Sequence, residues 1–353
     1  MDYKKYEYKY YKYKSKYTQL KQNKLNNRQY GGNISEELYK KYMIDNEKSI
    51  KHTKSIVDNL DKNYMNHITI NSKLLDNNTI SIIMTTYNRP KQTYHTLDTI
   101  SRSSYKNVQI VIVDDSEQPS LDIETLKRYN MHIDYVTIKN KFWINPCINY
   151  NIGFKIAKGT KIIIQNSEVC HVGDIVTYVN DNLKQNQYLV FNVLALLNES
   201  YNNNLYISKD INLYVNELIN KNEIQWYQHP KYRNKNYHFL TAINKLDLDK
   251  LNGFDYDFSM GYAYDDDELI YRVTNVLKLD IINVDSNETK LYGIHQWHSR
   301  NYVSNLREPL IGINKILHDK KIKYYKSTNN YVMMYGYDTI KYIEILRNIF
   351  GMR

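Results

Sequence analysis

The chain has 353 residues, a formal net charge of +10, 42% hydrophobic residues, 37 tyrosines and only two cysteines. That length can bury a core in one large domain or two small ones, and Cys147 and Cys170 alone exclude a disulfide framework or a cysteine-built zinc site. No apolar run approaches about 18 residues and the N-terminus lacks an apolar segment, so neither a membrane span nor a signal peptide is expected and the protein reads as cytoplasmic.

Asn, Lys, Ile and Tyr crowd the sequence, a bias pointing to an AT-rich genome such as that of a large DNA virus. The charge is uneven. Residues 1–33 form a tyrosine-interleaved tail whose first 30 positions carry nine basic side chains, from Lys4 to Arg28, against Asp2 and Glu7, or +7 of the +10. Such a run reads first as a solvated, disordered arm and second as a nucleic-acid contact, and no nucleic-acid partner is expected. Residues 34–79 predict a helical arm and a linker. Leu38, Tyr42, Ile50, Ile56 and Val57 recur at helical spacing behind an N-cap at Ser35, and 61–79 is polar and asparagine-rich.

The main domain is expected over 80–305. Ile80–Met84 is an apolar run of the kind that forms a parallel strand covered on both faces, and it ends in Thr85-Thr86-Tyr87-Asn88-Arg89-Pro90. Further strands are predicted at 108–113, ending in Asp114-Asp115-Ser116, at 133–138, at 161–164, ending in Gln165-Asn166-Ser167-Glu168, and at 188–194. Helices fall between them, at 148–156 and about 173–186. This alternation predicts an α/β fold with a mostly parallel sheet and ligands beyond the strands' carboxyl ends, where Thr85, Tyr87, Asp115, Asn166 and Glu168 stand. Neither a Gly-x-Gly-x-x-Gly fingerprint nor a P-loop is present, so bound phosphates would need another neutralising charge, and a metal ion is the obvious one.

Asp265, Asp266, Asp267 and Glu268 open a helical pattern continued by Leu269, Val273, Val276 and Leu277. A helix N-terminus tolerates one or two acids as a charge cap. Four repel one another, and the aromatic lead-in Phe254–Tyr264 suggests a cleft wall. Residues 306–353 predict C-terminal helices, with Ile313, Ile316 and Leu317 and later Ile340, Ile343, Ile345 and Leu346, that cover the domain or pair with a second subunit as a homodimer.

Thr-x-Tyr-Asn-Arg after the first strand, Asp-Asp-x-Ser after the second, and Gly-Phe-Asp-x-x-Phe followed by the acidic helix make the chain from Ile80 to about Arg300 resemble the family-two, GT-A-fold glycosyltransferases. The resemblance implies a Rossmann-like nucleotide-sugar fold and an inverting, hexosyltransferase-type enzyme that moves a sugar from a nucleotide-sugar, UDP favoured, to a glycan or glycoprotein hydroxyl. It places nucleotide-sugar binding on Thr85, Tyr87, Asn88, Arg89, Asp115 and Asn166, and the catalytic base on Asp266. Asp265 and Glu268 fall on acceptor-binding positions and Arg272 on the closing arginine. The family's Asp-x-Asp becomes Asn166-Ser167-Glu168, so Glu168 is the expected metal ligand and one charge is missing. His298 is the expected second ligand, with His295 as its alternative, and this set favours Mn²⁺ over Mg²⁺. Trp226 and Trp297 are expected acceptor platforms, with Tyr227 and Trp143 beside them. The competing readings are a catalytically weak nucleotide- or sugar-binding module and a nucleic-acid-binding protein acting through its tail.

Overall fold

The computed structural model describes residues 36–234, 238–299, 304–329 and 331. The basic tail and the residues beyond 331 lie outside them. Among the described residues, eight strands form one sheet in the order β1-β4-β3-β2-β5-β10-β7-β11 and four form another in the order β6-β12-β8-β9. In the large sheet these are β1 (Met65–Ile70), β2 (Ile80–Thr86), β3 (Val108–Asp114), β4 (His132–Ile138), β5 (Lys161–Asn166), β7 (Gln187–Phe191), β10 (Leu240–Asn244) and β11 (Asp280–Val284). The small sheet holds β6 (Val169–Val172), β8 (Val193–Leu196), β9 (Ile224–Gln228) and β12 (Tyr292–His295).

Strands β4, β3, β2 and β5 run parallel, as the continuous apolar runs require. Alternation along each strand feeds two cores. Ile83, Val111 and Val113 pack on one face, with helix α1 (Glu36–Asn59) and helix α3 (Cys147–Ile156). Ile82, Met84, Ile110 and Ile112 pack on the other, with α2 (Pro90–Ser101) and α4 (Ile175–Asn182). The chain builds β3 and β4 to one side of β2 and then crosses to place β5 on the other side. That reversal opens a crevice beyond the carboxyl ends of β2 and β5, where Thr85 and Asn166 are register partners.

Several elements differ from the sequence expectation. Residues 61–79, expected as a linker, contain β1, which pairs antiparallel with β4 at the sheet edge. Its outward residues are polar and its pairing is fixed by Asp134, which accepts hydrogen bonds from Thr69 Oγ1 (2.7 Å) and lies 2.8 Å from His67 Nε2. The single strand expected at 188–194 is two strands in different sheets, divided at Asn192. The helix expected from Gly173 begins at Ile175, with Asp174 accepting from Thr177 N, because β6 precedes it. Trp143 belongs to the core, donating Nε1–H to Asn149 Oδ1 at 3.0 Å.

Helix α5 (Glu199–Ile207) and α6 (Ile211–Asn220) pack on the small sheet, α7 (Lys245–Leu251) follows β10, and α8 (Asp265–Tyr271) carries the acids. Helix α9 (Ser304–Thr328) lies over the segment that leads into α8. Its buried Asn314 donates to Ala263 O (2.8 Å) and Phe258 O (3.3 Å), and buried Lys321 bridges Asp255 and Asp257. A Cβ on Gly261 would stand 1.9 Å from Asn314 Oδ1. Gly261→Ala is therefore expected to destabilise the fold by about 1–3 kcal/mol, read as a lower midpoint in urea, and no change would mean that α9 does not hold this loop.

Candidate active site

The crevice is built from four chain segments. The first is the β2 exit. Asn88 takes a left-handed conformation (φ 52°), its N–H donates to Ser116 Oγ at 2.8 Å, and Pro90 starts α2. This turn leaves Tyr87 46% exposed and swings Arg89 toward β5, where Nη1 donates to Glu168 Oε1 at 2.6 Å. At the β3 exit, Asp114 is consumed by structure, accepting from Ser116 N (3.0 Å), Ser120 N (2.7 Å) and the Tyr135 hydroxyl (2.6 Å). Asp115 is free of those duties and pairs with Lys141.

The second and third segments are the β5–β6 turn and β12. Antiparallel register sets His295 opposite Val169, so the histidine comes beside Glu168, and Gln296 N–H donates to Glu168 O at 2.9 Å. Gln296, which the sequence reading passed over, is fully buried and donates Nε2–H to Gln92 O, Thr96 Oγ1 and Glu168 O. Trp297 is held by its backbone, its N–H donating to Asn202 Oδ1 and its carbonyl accepting from Gln92 and Asn202. These bonds aim His298 back into the crevice.

Glu168, His295 and His298 thus converge, with one ligand atom from each within 4.8 Å of the others. From Glu168 Oε1, His295 Nε2 is 3.3 Å away and His298 Nε2 3.6 Å away. Burial alone would raise the Glu168 carboxyl, but Arg89 and the two imidazoles hold it well below the usual range, so it is a carboxylate. Burial lowers His298 to about 4, so its ring is neutral near pH 7. Its Nδ1 faces Ser299 O at 3.0 Å, and a carbonyl can only accept, so the proton sits on Nδ1 and Nε2 turns a lone pair toward the carboxylate. Two lone pairs face to face call for a cation. Two nitrogens and one oxygen form a donor set that fits a divalent transition ion. His171, close in sequence to Glu168, is not part of this set and lies buried in β6 with Nε2 2.7 Å from Gln165 Oε1.

The fourth segment is α8, entered through two left-handed residues, Ala263 (φ 61°) and Tyr264 (φ 65°). Asp265 is buried and accepts from Asn145 Nδ2 at 2.9 Å; burial, with Glu268 and Asp267 close by, pushes its carboxyl up to about 6. Asp266, the more accessible of the two, is also raised by burial and by Asp265 and Asp267. Buried Tyr150 on α3 links the two ends of the crevice. Its hydroxyl lies 2.9 Å from Asn166 Oδ1 and feels the charges of Glu168, Asp265 and Arg89.

Three residues expected at the acceptor are engaged with the protein itself. Glu268 is fully buried, paired with Arg272 through both oxygens and accepting from the Tyr331 hydroxyl. Arg272 turns inward at a π-helical turn, Arg272–Val276, and also donates to Leu251 O and Gly253 O. Residues three apart share a helix face, but here that face is the core side. Trp226 and Trp297 pack, partly buried, on the small-sheet cluster. Trp226 stacks on Tyr232, while its neighbour Tyr227, on the opposite face of β9, meets His295 at 4.4 Å between ring centroids.

Residues 81–246 match the family model Glycosyl transferase family 2. No curated protein matches the chain. Among solved structures, S. aureus TarS is similar at 13% identity over 77% of this chain and 42% of its own, with a TM-score of 0.49. The mannosyltransferase PcManGT from Pyrobaculum calidifontis, solved with GDP-Man and Mn²⁺, is similar at 13% identity over 89% of this chain and 80% of its own, with a TM-score of 0.43. A TarS fragment in complex with UDP-GlcNAc gives 14% identity, 77% and 71% coverage and a TM-score of 0.48. This chain therefore spans under half the length of full TarS. Among the described residues, no helix is long and apolar enough to cross a membrane.

Proposed function

We propose that the protein is a metal-dependent, inverting glycosyltransferase that moves a sugar from a nucleotide-sugar, a UDP-sugar first among them, to a hydroxyl of a glycan or protein acceptor. The observation that carries this reading is the convergence of Glu168, His295 and His298 at the β2/β5 switch point, in a chain whose residues 81–246 match the family 2 model. A divalent ion held by these three side chains would supply the charge that makes the nucleoside diphosphate a competent leaving group.

The chain's own residues do the rest. Tyr87, exposed at the β2 exit, offers its ring to the base, and Asp115 with Lys141 offers hydrogen-bonding groups to the base edge. Arg89 brings a guanidinium beside the diphosphate position. Asp266, with its raised pKa, takes the proton of the attacking hydroxyl, and a base on the side away from the leaving group gives inversion. Asp265 and Asn145 hold the first turn of α8 in place and so fix where Asp266 points. Asn166 in place of a second acid also supports a weaker reading, a nucleotide-sugar-binding module without turnover.

Thermal denaturation of the full chain with UDP, UDP-GlcNAc, UDP-glucose, UDP-galactose and GDP-mannose, each with Mn²⁺ or Mg²⁺, tests the proposal. A ligand at 100 Kd raises stability by about 2.7 kcal/mol, and the largest shift is expected for a UDP-sugar with Mn²⁺. Absence of any nucleotide-dependent shift would refute the donor reading. Mn²⁺-stimulated release of UDP from that donor separates an enzyme from a binding module.

A further inference from the structure

His238 lies two residues before the start of β10, at the crevice edge. Leu240 pairs with Gln165, and Asn166 N–H donates to Phe239 O at 3.3 Å, so the pairing continues and brings His238 level with Ser167. The imidazole is only 8% exposed and sits among aromatic rings, with centroids 4.7 Å from Tyr150, 5.3 Å from Phe254 and 5.6 Å from Phe239. Among the described residues, its Nδ1 is buried without a hydrogen-bond partner.

Such a position is poorly served by histidine if packing is its only task. A phenylalanine or leucine would fill an aromatic nest without the cost of an orphaned polar atom. The placement gives the ring another use. Tyr150, against which it packs, has its hydroxyl 2.9 Å from Asn166 Oδ1, and the strand pairing sets His238 beside the turn that carries Glu168. On the donor reading above, the transferred sugar must lie between Glu168 and the helix that carries the base. Burial keeps the ring neutral, so one nitrogen donates and the other accepts, which matches a sugar hydroxyl that does both.

We propose that His238 hydrogen-bonds a hydroxyl of the transferred sugar and so determines which nucleotide-sugar the protein accepts. This rests on the donor reading, and calorimetric titration of the full chain in Mn²⁺ with UDP and with the best sugar nucleotide of the panel keeps the two apart. His238→Phe is expected to melt at a higher temperature without ligand, to bind UDP within about twofold of wild type, and to lose about tenfold in affinity for the nucleotide-sugar, the effect of one hydrogen bond. His238→Asn, which keeps a donor and an acceptor, is expected to retain part of that affinity, and it carries the comparison if the phenylalanine variant does not fold. Equal losses for UDP and nucleotide-sugar, or an unchanged ratio between them in either variant, would overturn the role of His238 alone. If wild type binds neither ligand, the donor reading falls and this proposal with it.

Discussion

Asp266→Asn is expected to lower turnover by about 10²–10⁴-fold while making the folded protein more stable at pH 8. The two effects have one cause. Burial and the neighbouring Asp265 and Asp267 raise the Asp266 carboxyl, which makes it a stronger base and makes its charged form costly to the fold. Asp265, pushed up to about 6, shares that cost. A carboxyl whose folded pKa lies above its unfolded value contributes stability that is complete below the unfolded value, near 3.8, and is lost as pH rises through the folded pKa. The stability gain of the asparagine variant should therefore be small at acid pH and grow as the pH rises toward 8. Activity runs the other way, since the base works only when deprotonated. The acid limb of the wild-type pH–rate profile should lie well above the ordinary aspartate range, and the residual activity of the variant should lack that limb. A variant that loses activity and also melts lower at pH 8 would show Asp266 to be a structural charge.

What could be read from the sequence follows from where the chemistry sits. Thr85–Arg89, Asp115 and Asn166–Glu168 stand at the ends of apolar runs, and a parallel sheet gathers strand ends, so their convergence was legible from periodicity and order. His298 was legible only as a histidine in the required neighbourhood; its companion His295 depends on the β6–β12 register, which no local pattern encodes. The edge strand β1 was missed because its two buried residues, Met65 and Ile70, lie on opposite faces and show no alternation, while His67 and Thr69 answer Asp134 on the neighbouring β4. The burial of Glu268 was not legible for a related reason. Spacing alone puts it on a face with Asp265, but which face meets the core is fixed by Arg272, Tyr331 and the carbonyls of Leu251 and Gly253. Lys321 shows the same limit from the other side, as a lysine in a helical run that reads as surface and ends buried between two aspartates.

Replacing Glu168 by glutamine is expected to abolish Mn²⁺-dependent stabilisation by nucleotide and to lower transfer by at least about 10²-fold, with only a small loss of stability in the metal-free protein. The oxygen that faces both imidazoles also accepts from Arg89, so the ion and the guanidinium compete for one charge. Losing the carboxylate leaves Arg89 without that partner, but its side chain is 27% exposed and can be solvated, which keeps the folding penalty below that of a sealed ion pair. Asn166→Asp tests the same balance in the opposite direction. Aspartate can still accept from Tyr150, as Asn166 Oδ1 does, while the weak contact of Nδ2 with Glu168 Oε1 at 3.4 Å gives way to a second negative charge. Two carboxylates repel without an ion and bind one more tightly with it. The variant should therefore melt lower in chelator, bind Mn²⁺ about tenfold more tightly and gain affinity for Mg²⁺, which prefers oxygen ligands. Mn²⁺ affinity unchanged in both variants, measured by calorimetry, would place the ion elsewhere than between Glu168, His295 and His298.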